Sequence, residues 1–451
     1  MAERVLTLLR EKRYSELRAL LEDLHEADVA DLFDEIEERE LRIRLFRLLP
    51  KDMAAETFAY MEPDVQQDII ESITDVELKN ILDDMFLDDC VDLIEEMPAN
   101  VVDRVIKATP AENRKLINQY LQYPEDSAGS LMTNEYIWFK AGQTVADALA
   151  TVRRYGIDKE TIDVCYVTAA DRRLLGELTL RQLVLAEPST QITDIMDDNV
   201  HFVHTMDDKE QIAKLFSHYD LLAMPVVDKE ERIVGIITID DAVDVIQDEN
   251  TEDFEVMAAM IPSDETYLKT SVFTLAKNRI LWLLILMVSA MFTGALLEHY
   301  ENAISALPLL VSFIPMLMDT GGNGGAQAST MIIRGLALEE ISLSDIFVVW
   351  WKEARVAWLC GGVLSLANFV RIIIQYHNTP HCVAIAFVVA ISLFCTLFIA
   401  KSLGCLMPML AKRLKLDPAL MASPIITTLT DACSILVFFN ISMAVLGEYL
   451  V

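Results

Sequence analysis

Positive charge is scarce in this chain: 37 Lys and Arg stand against 70 Asp and Glu over 451 residues, a net −33 at neutral pH. So acidic a body argues against nucleic acid and anionic lipid as electrostatic partners and favours cations. Cysteine is sparse as well. The seven (Cys90, Cys165, Cys360, Cys382, Cys395, Cys405 and Cys433) are odd in number and show no CxxC spacing, the pattern of reduced, mostly buried thiols in a body that stays in the cytosol. None of the seven histidines (His25, His201, His204, His218, His299, His377, His381) belongs to an HExxH, and all lie outside the apolar runs or at their ends, which discounts an intramembrane metalloprotease. There is no Walker A GxxxxGK[ST], no phosphorylatable Asp-Lys-Thr-Gly-Thr and no inverted pair of broken spans in two matching halves, so nothing points to an ATP-driven pump or an inverted-repeat carrier. The first residues, Met1-Ala2-Glu3-Arg4, open a polar helix without an apolar h-region; no signal peptide is expected.

What is present is unevenly distributed. Residues 1–270 hold 27 basic against 60 acidic residues, while residues 271–451 hold 10 against 10, so the imbalance belongs to a water-soluble first part that precedes a set of long apolar runs. Within residues 1–125, prolines at 50, 63, 98, 110 and 124, with polar breaks near Thr74 and Asp88, chop a helical pattern into pieces of two or three turns. Pieces so short cannot bury a face alone and are expected to stack as a superhelix.

Residues 130–250 contain a duplication. Val164 to Thr179 aligns without gaps to Ala223 to Thr238 at an offset of 59, placing Gly176 on Gly235; upstream the offset is 64, with Met132 on Met196, and the five extra residues fall around Ile157–Thr161. Each copy reads helix, strand, turn, strand with Gly, helix. The pattern resembles a tandem CBS pair, with Pro225-Val-Val-Asp228 and Gly235-Ile-Ile-Thr-Ile-Asp-Asp241 the closest matches. That resemblance implies an adenosine nucleotide site at Thr238 and Asp241; the first copy has Gln182 at the Asp position, leaving at most one well-formed site. From Asp240 to about Ile261 the chain is acidic first and apolar later, and a connecting helix toward the membrane is expected.

Five spans are expected near 279–297, 303–333, 354–374, 382–407 and 419–446, each long enough for a hydrocarbon core of about 30 Å. Lys277 and Arg279, then Arg334, Lys352 and Arg355, then Lys412, Arg413 and Lys415 mark alternate ends as cytoplasmic, with the carboxyl terminus outside and Arg371 the one awkward outer charge. Asp431 is read as the only acidic residue deep in a span, a position that is costly and points to an ion path. In the second span, Gly321, Gly322, Gly324 and Gly325 flank Asn323. At about 1 kcal/mol each against Ala they are expected to break the helix and free carbonyls beside Asn323.

The Gly-Gly-Asn stretch, Asp417-Pro418…Pro424…Thr427-Thr428…Asp431, and the Tyr123-Pro124-Glu125-Asp126-Ser127-Ala128-Gly129 junction, in this order, resemble the MgtE family of magnesium channels over most of the chain. Ser434, where the family usually has Gly, departs from the pattern. The resemblance implies a multidomain protein: an all-α superhelical N-terminal domain (residues 1–129), an α/β tandem CBS pair (130–189 and 190–249), a long connecting or plug helix (250–270) and a five-span α-helical membrane domain (271–451). It implies a homodimer in the plasma or inner membrane, with the amino terminus cytoplasmic, whose fifth spans line one pore with Asp431, Asn323, Thr427 and Thr428 as pore ligands for Mg²⁺. The carboxylates Asp88, Asp89, Asp92, Asp244, Asp248, Glu252, Asp253 and Glu255 would form a cytosolic Mg²⁺ sensor that closes the pore, and ATP would be the nucleotide of the CBS pair. The partners are thus Mg²⁺, a second copy and the bilayer, with no nucleic acid and no enzymatic activity. A less selective channel for Co²⁺, Mn²⁺ or Ca²⁺ and a non-conducting CBS membrane sensor remain as alternatives, because hard oxygen ligands do not rank these ions.

Overall fold

The computed structural model describes residues 1–36, 38–263, 267–268, 270–301 and 308–450, with only the backbone at Asp52, Glu112, Asp158, Ser423 and 448–450. It divides into two compact units, Met1–Gln247 and Asp248–Val451.

The first unit begins with short helices of eight to ten residues running from Ala2–Arg10 to Ala111–Tyr120. Their brevity has local causes. Pro50, Pro98 and Pro110 stand immediately before a helix and Pro63 is the first residue of Pro63–Ser72, where a missing N–H costs nothing. Thr74 caps Asp75–Asp84 in a reciprocal box with Glu77. The break expected at Asp88 falls earlier: Phe86 caps Leu87–Glu96, so Asp88 and Asp89 occupy a first turn, where free N–H groups favour carboxylates. Glu26–Asp34 packs on Lys51–Ala59, which packs on Asp75–Asp84, which packs on Ala99–Ala108. This next-but-one stacking is a superhelix, and Phe33, Phe46 and Phe58 run edge-to-face through its core at 6.3 and 6.0 Å.

The duplicated segment gives two three-stranded sheets of the same topology. In one, Trp138–Lys140 pairs parallel with Val164–Thr168, which pairs antiparallel with Leu174–Thr179; in the other, Val203–His204, Ala223–Val227 and Ile233–Thr238 repeat the pattern. Gly176 opposes Val167 and Gly235 opposes Val226, with a register shift following each. The entry segments are exchanged. Thr133, ahead of the first sheet, bridges Ile236 of the second, and Asp197, ahead of the second, bridges Glu177 of the first. The two glycines permit this: a Cβ on Gly235 would meet the Thr133 carbonyl at 2.8 Å, and one on Gly176 the Asp197 carbonyl at 2.6 Å.

The acidic helix is Ile239–Met257. In the second unit, four of the described helices are long and apolar enough to cross a membrane: Val272–His299, Leu343–Gln375, Cys382–Arg413 and Pro418–Gly447. A fifth, Ile314–Ala337, has 24 residues, about 36 Å at about 1.5 Å per residue, but Asp319, Asn323, Gln327 and the glycines around Asn323 (Gly321, Gly322, Gly324 and Gly325) dilute its hydropathy. The expected start of the second span, 303, lies outside the described residues; from Pro308–Phe313, a 3₁₀ turn, the chain enters Ile314–Ala337. The expected break at the glycines does not occur, since the helix runs through all four. The glycines are spent on proximity instead. An added Cβ would meet Thr396 at 2.8 Å from Gly321, Thr427 at 2.9 Å from Gly322 and Ile426 at 2.6 Å from Gly325, and would strike Leu397 from Gly324. With no water to compete for the backbone, the helical hydrogen bonds hold and close packing decides.

Candidate functional site

The glycine contacts fix the register of the second and fifth spans. Gly321 lies beside Ser434, and Gly325 beside Ile426 and Thr430, so Asp431 falls at the level of residues 319–325. On the opposite side of Ile314–Ala337, Asp319, Asn323 and Gln327 recur at i, i+4 and i+8 and are all exposed. They line a cavity of about 600 Å³ with Thr320 and Lys401. Asp431 is half-buried, and Asp319 is close enough for its charge to act on it.

Asp319 and Glu353, the latter inside Leu343–Gln375, correct the reading of Asp431 as the only acidic residue in a span. Thr427 and Thr428 are turned partly inward. Their hydroxyls donate back into their own helix, Thr427 to Pro424 O at 2.9 Å and Thr428 to Ile425 O at 2.9 Å or Pro424 O at 3.2 Å, which leaves only lone pairs for a ligand. Ser434 is buried against Gly321 and donates to Thr430 O at 2.6 Å, so this departure from the family pattern is not on the polar stripe. Arg371, the awkward outer charge, donates to Asn368 Oδ1 at 3.0 Å.

A second site lies in the first unit. Asp89 and Asp92 line an acidic groove of about 350 Å³ with Asp31, Asp34, Glu62 and Glu96. Burial, with Asp89 beside it, pushes Asp88 up to about 7; burial, with Asp241 and Asp240 beside it, pushes Asp89 up to about 6. Burial also carries Asp241 up to about 7, and Glu160, which faces Asp88, Asp240, Asp241 and Asp89, up to about 8. One oxygen of Asp88 is buried without a hydrogen-bond partner. Such crowding of carboxylates, with an orphaned oxygen among them, suits a bound divalent cation. Among the described residues, no three acidic, histidine or cysteine groups stand close enough to hold a metal as they are.

Glu160 was not among the expected ligands. Its signal was the five-residue insertion by which the first CBS copy exceeds the second. The remaining expected sensor residues are arranged along one helix: Asp244, Asp248 and Glu252 follow the exposed Asp240 at intervals of four, Asp253 is half-buried, and Glu255 accepts from Ser263 N at 2.9 Å. At the apolar end of that helix, Val256 and Met257 pack on Ile333, Ala419 and Ala422, from the ends of the second and fifth spans. Thr238 and Asp241 form a helix-capping pair, Asp241 Oδ2 accepting from Thr238 N and Oγ1 at 3.2 and 2.9 Å. Thr179 and Gln182 do the same in the first copy, which explains why Gln is tolerated there.

With these two sites described, comparison with known proteins is decisive. A family model described as MgtE, divalent cation transporter, matches residues 314–441; one for the MgtE intracellular N domain matches 24–126, and one for the CBS domain matches 192–248. The magnesium transporter MgtE of Thermus thermophilus is 35% identical over 434 residues, 95% of each chain, and that of Bacillus subtilis is 32% identical over 98% of this chain and 96% of its own. The chain belongs to the MgtE family. Among solved structures, the cytosolic domain of an Mg²⁺ channel MgtE in complex with ATP is 36% identical, with TM-score 0.51 over 54% of this chain and all of that one. The soluble part of a magnesium transporter is 29% identical, with TM-score 0.52 over 55% of this chain and 97% of its own. MgtE membership makes this a multi-pass membrane transporter.

Proposed function

We propose that this MgtE chain is a homodimeric Mg²⁺ channel that carries magnesium downhill into the cytosol and is closed by cytosolic Mg²⁺. One observation carries the reading: the exposed row Asp319, Asn323, Gln327 on a membrane helix, with Asp431 at the same level on its neighbour. Such a row cannot face hydrocarbon and must line water or a second copy. A two-fold axis along it doubles the carboxylates, so that paired Asp431 side chains balance one divalent ion while Mg²⁺ retains much of its hydration. An inside-negative potential supplies about 2.3 kcal/mol per charge per 100 mV, twice that for Mg²⁺, so no ATP is needed for entry.

The amino terminus is cytoplasmic and the carboxyl terminus outside, as Lys277, Arg279, Arg334, Lys352, Arg355, Lys412 and Arg413 indicate. Closure acts through Ile239–Met257, whose apolar end rests on the inner ends of the second and fifth spans while its acidic row leads back to the Asp88–Asp241 cluster. The sensor comprises Asp88, Asp89 and Asp92 with Asp244, Asp248, Glu252, Asp253 and Glu255. ATP is the nucleotide proposed for the CBS pair near Thr238, on the strength of the relative solved with it. Because the family model is described for divalent cations generally, Mn²⁺, Co²⁺ and Ca²⁺ are the competitors to measure. Mg²⁺ influx into proteoliposomes tests the reading. Asp431→Ala and Asp431→Asn should both cut influx at least tenfold while the protein elutes as a dimer; undiminished influx in both overturns it.

A further inference from the structure

Inside the membrane unit, Lys401 is only 5% exposed, and its Nζ lies 3.6 Å from Glu353 Oε2. That is an ion pair longer than a hydrogen bond, and a buried pair of this kind is commonly no more stabilising than apolar residues in its place. Nor is it required to join the third and fourth spans. Trp350 Nε1 already donates to Ser402 Oγ at 3.2 Å, and Trp358 packs edge-on against Phe394 at 5.2 Å. What sets Lys401 apart is its second surface: it lines the same cavity as Asp319, Asn323 and Gln327. The cavity's lining thus includes one positive charge together with the row of oxygen-bearing side chains, the rest being chiefly apolar.

We propose that Lys401, tethered by Glu353, is a specificity-determining residue of the ion path, a built-in positive charge that sets how strongly the Asp319–Asn323–Gln327 wall holds cations. The inference rests on reading that wall as the path. Asp319, Glu353 and Lys401 together leave this region one net negative charge per copy. Removing the lysine leaves two carboxylates uncompensated and deepens the well for cations. Removing Glu353 releases an ammonium that repels them. Tethering also keeps the ammonium from swinging toward Asp319 and taking a permeating ion's place.

The sign of each effect distinguishes this role from a structural one. By Coulomb's law, one unit charge about 10 Å from a divalent ion changes its occupancy on the order of tenfold at an effective dielectric of about 50. Glu353→Gln should therefore lower Mg²⁺ influx into proteoliposomes about tenfold. Lys401→Met should raise initial influx at low external Mg²⁺ above that of the unmodified protein, and the Glu353→Gln/Lys401→Met double variant should return to within about threefold of it. Elution profile and melting temperature report folding for each variant. If both single variants lose influx alike and the double variant is no better, the pair is a structural pin and the proposal fails. It also fails if Glu353→Gln conducts normally. Asp431→Asn measured alongside separates the two readings: an unimpaired Asp431→Asn sinks the pore assignment, whereas an impaired Asp431→Asn with a normal Glu353→Gln sinks only the role of Lys401.

Discussion

A half-buried carboxylate with no counter-charge beside it must hold a proton, bind a cation or destabilise the fold around it, and Asp88, Asp89, Asp241 and Glu160 share that condition. Burial raises all four, to between about 6 and about 8, whereas in an unfolded chain they titrate near 4. The folded unit therefore binds more protons than the unfolded chain from about pH 4 to about pH 8. A raised carboxylate stabilises fully below its unfolded value and loses that contribution as pH climbs through its folded value, at about 1.4 kcal/mol per pH unit for each proton involved. Without Mg²⁺, the melting temperature of the soluble unit should fall as pH rises from about 5 to about 8, and millimolar Mg²⁺ should recover most of the loss at the upper end by replacing protons. A metal-free melting temperature that is flat or rising over this range would mean that these groups are solvated and are not a sensor. The sharper single-site comparison is Asp89→Asn, which touches both the groove and the Asp240–Asp241 side. It should flatten the pH dependence and weaken the Mg²⁺ response together, read in one thermal-unfolding series.

At the scale of elements, the second span is where composition misleads. Counted by propensity, four glycines argue for a broken helix; counted by contacts, each of them admits a neighbouring helix. The distinction is testable within one protein. Gly325→Ala would drive a methyl into Ile426 and toward the Ala400 carbonyl, while Gly362 in Leu343–Gln375 has nothing within 4 Å of an added Cβ. Gly325→Ala should destabilise by about 1–3 kcal/mol through overpacking, and Gly362→Ala should be neutral or stabilising by up to about 1 kcal/mol through helix propensity. Thermal unfolding in detergent reads both; equal effects would mean that glycine content, not helix contact, sets stability. The same contrast explains what the residues made legible in advance. Short helices were readable because proline and Thr74 mark their starts locally, and the CBS sheets because the repeat carries Gly176 and Gly235 at matched positions. Asp431 and Asn323 stand out in apolar surroundings. The exchange of entry segments, the groove formed with Asp31 and Glu62, and the cavity shared by Asp319 and Lys401 depend on packing between distant elements, which no local pattern encodes.

For the whole molecule, feedback requires that the ion it transports also favour the closed arrangement. A ligand shifts a two-state equilibrium only by its differential affinity, and moving a channel from about 1:99 to about 99:1 takes roughly 10⁴-fold in total. Spread over several sites, that factor asks little of each. Four weak sites, each favouring closure about tenfold, would supply it and would also make closure steep in Mg²⁺. The acidic stretches suit this arrangement: like charges within the Asp88, Asp89 and Asp92 group, and likewise within the Ile239–Met257 row, repel over a Debye length of about 8 Å at physiological salt, and bound cations would offset that repulsion. Neutralising one carboxylate should then shift the closing concentration by only a few-fold. Neutralising Asp244, Asp248, Glu252, Asp253 and Glu255 together should leave influx running at high internal Mg²⁺, with the conductance itself intact because Asp431 is untouched. Proteoliposomes loaded with graded internal Mg²⁺ give the closing curve for each variant, and limited proteolysis at the same concentrations reports compaction of the soluble unit. A five-fold neutralised protein that still closes at the same concentration with the same steepness would show that the acidic helix is only a soluble surface and would remove the feedback mechanism, leaving the pore as the whole of the function.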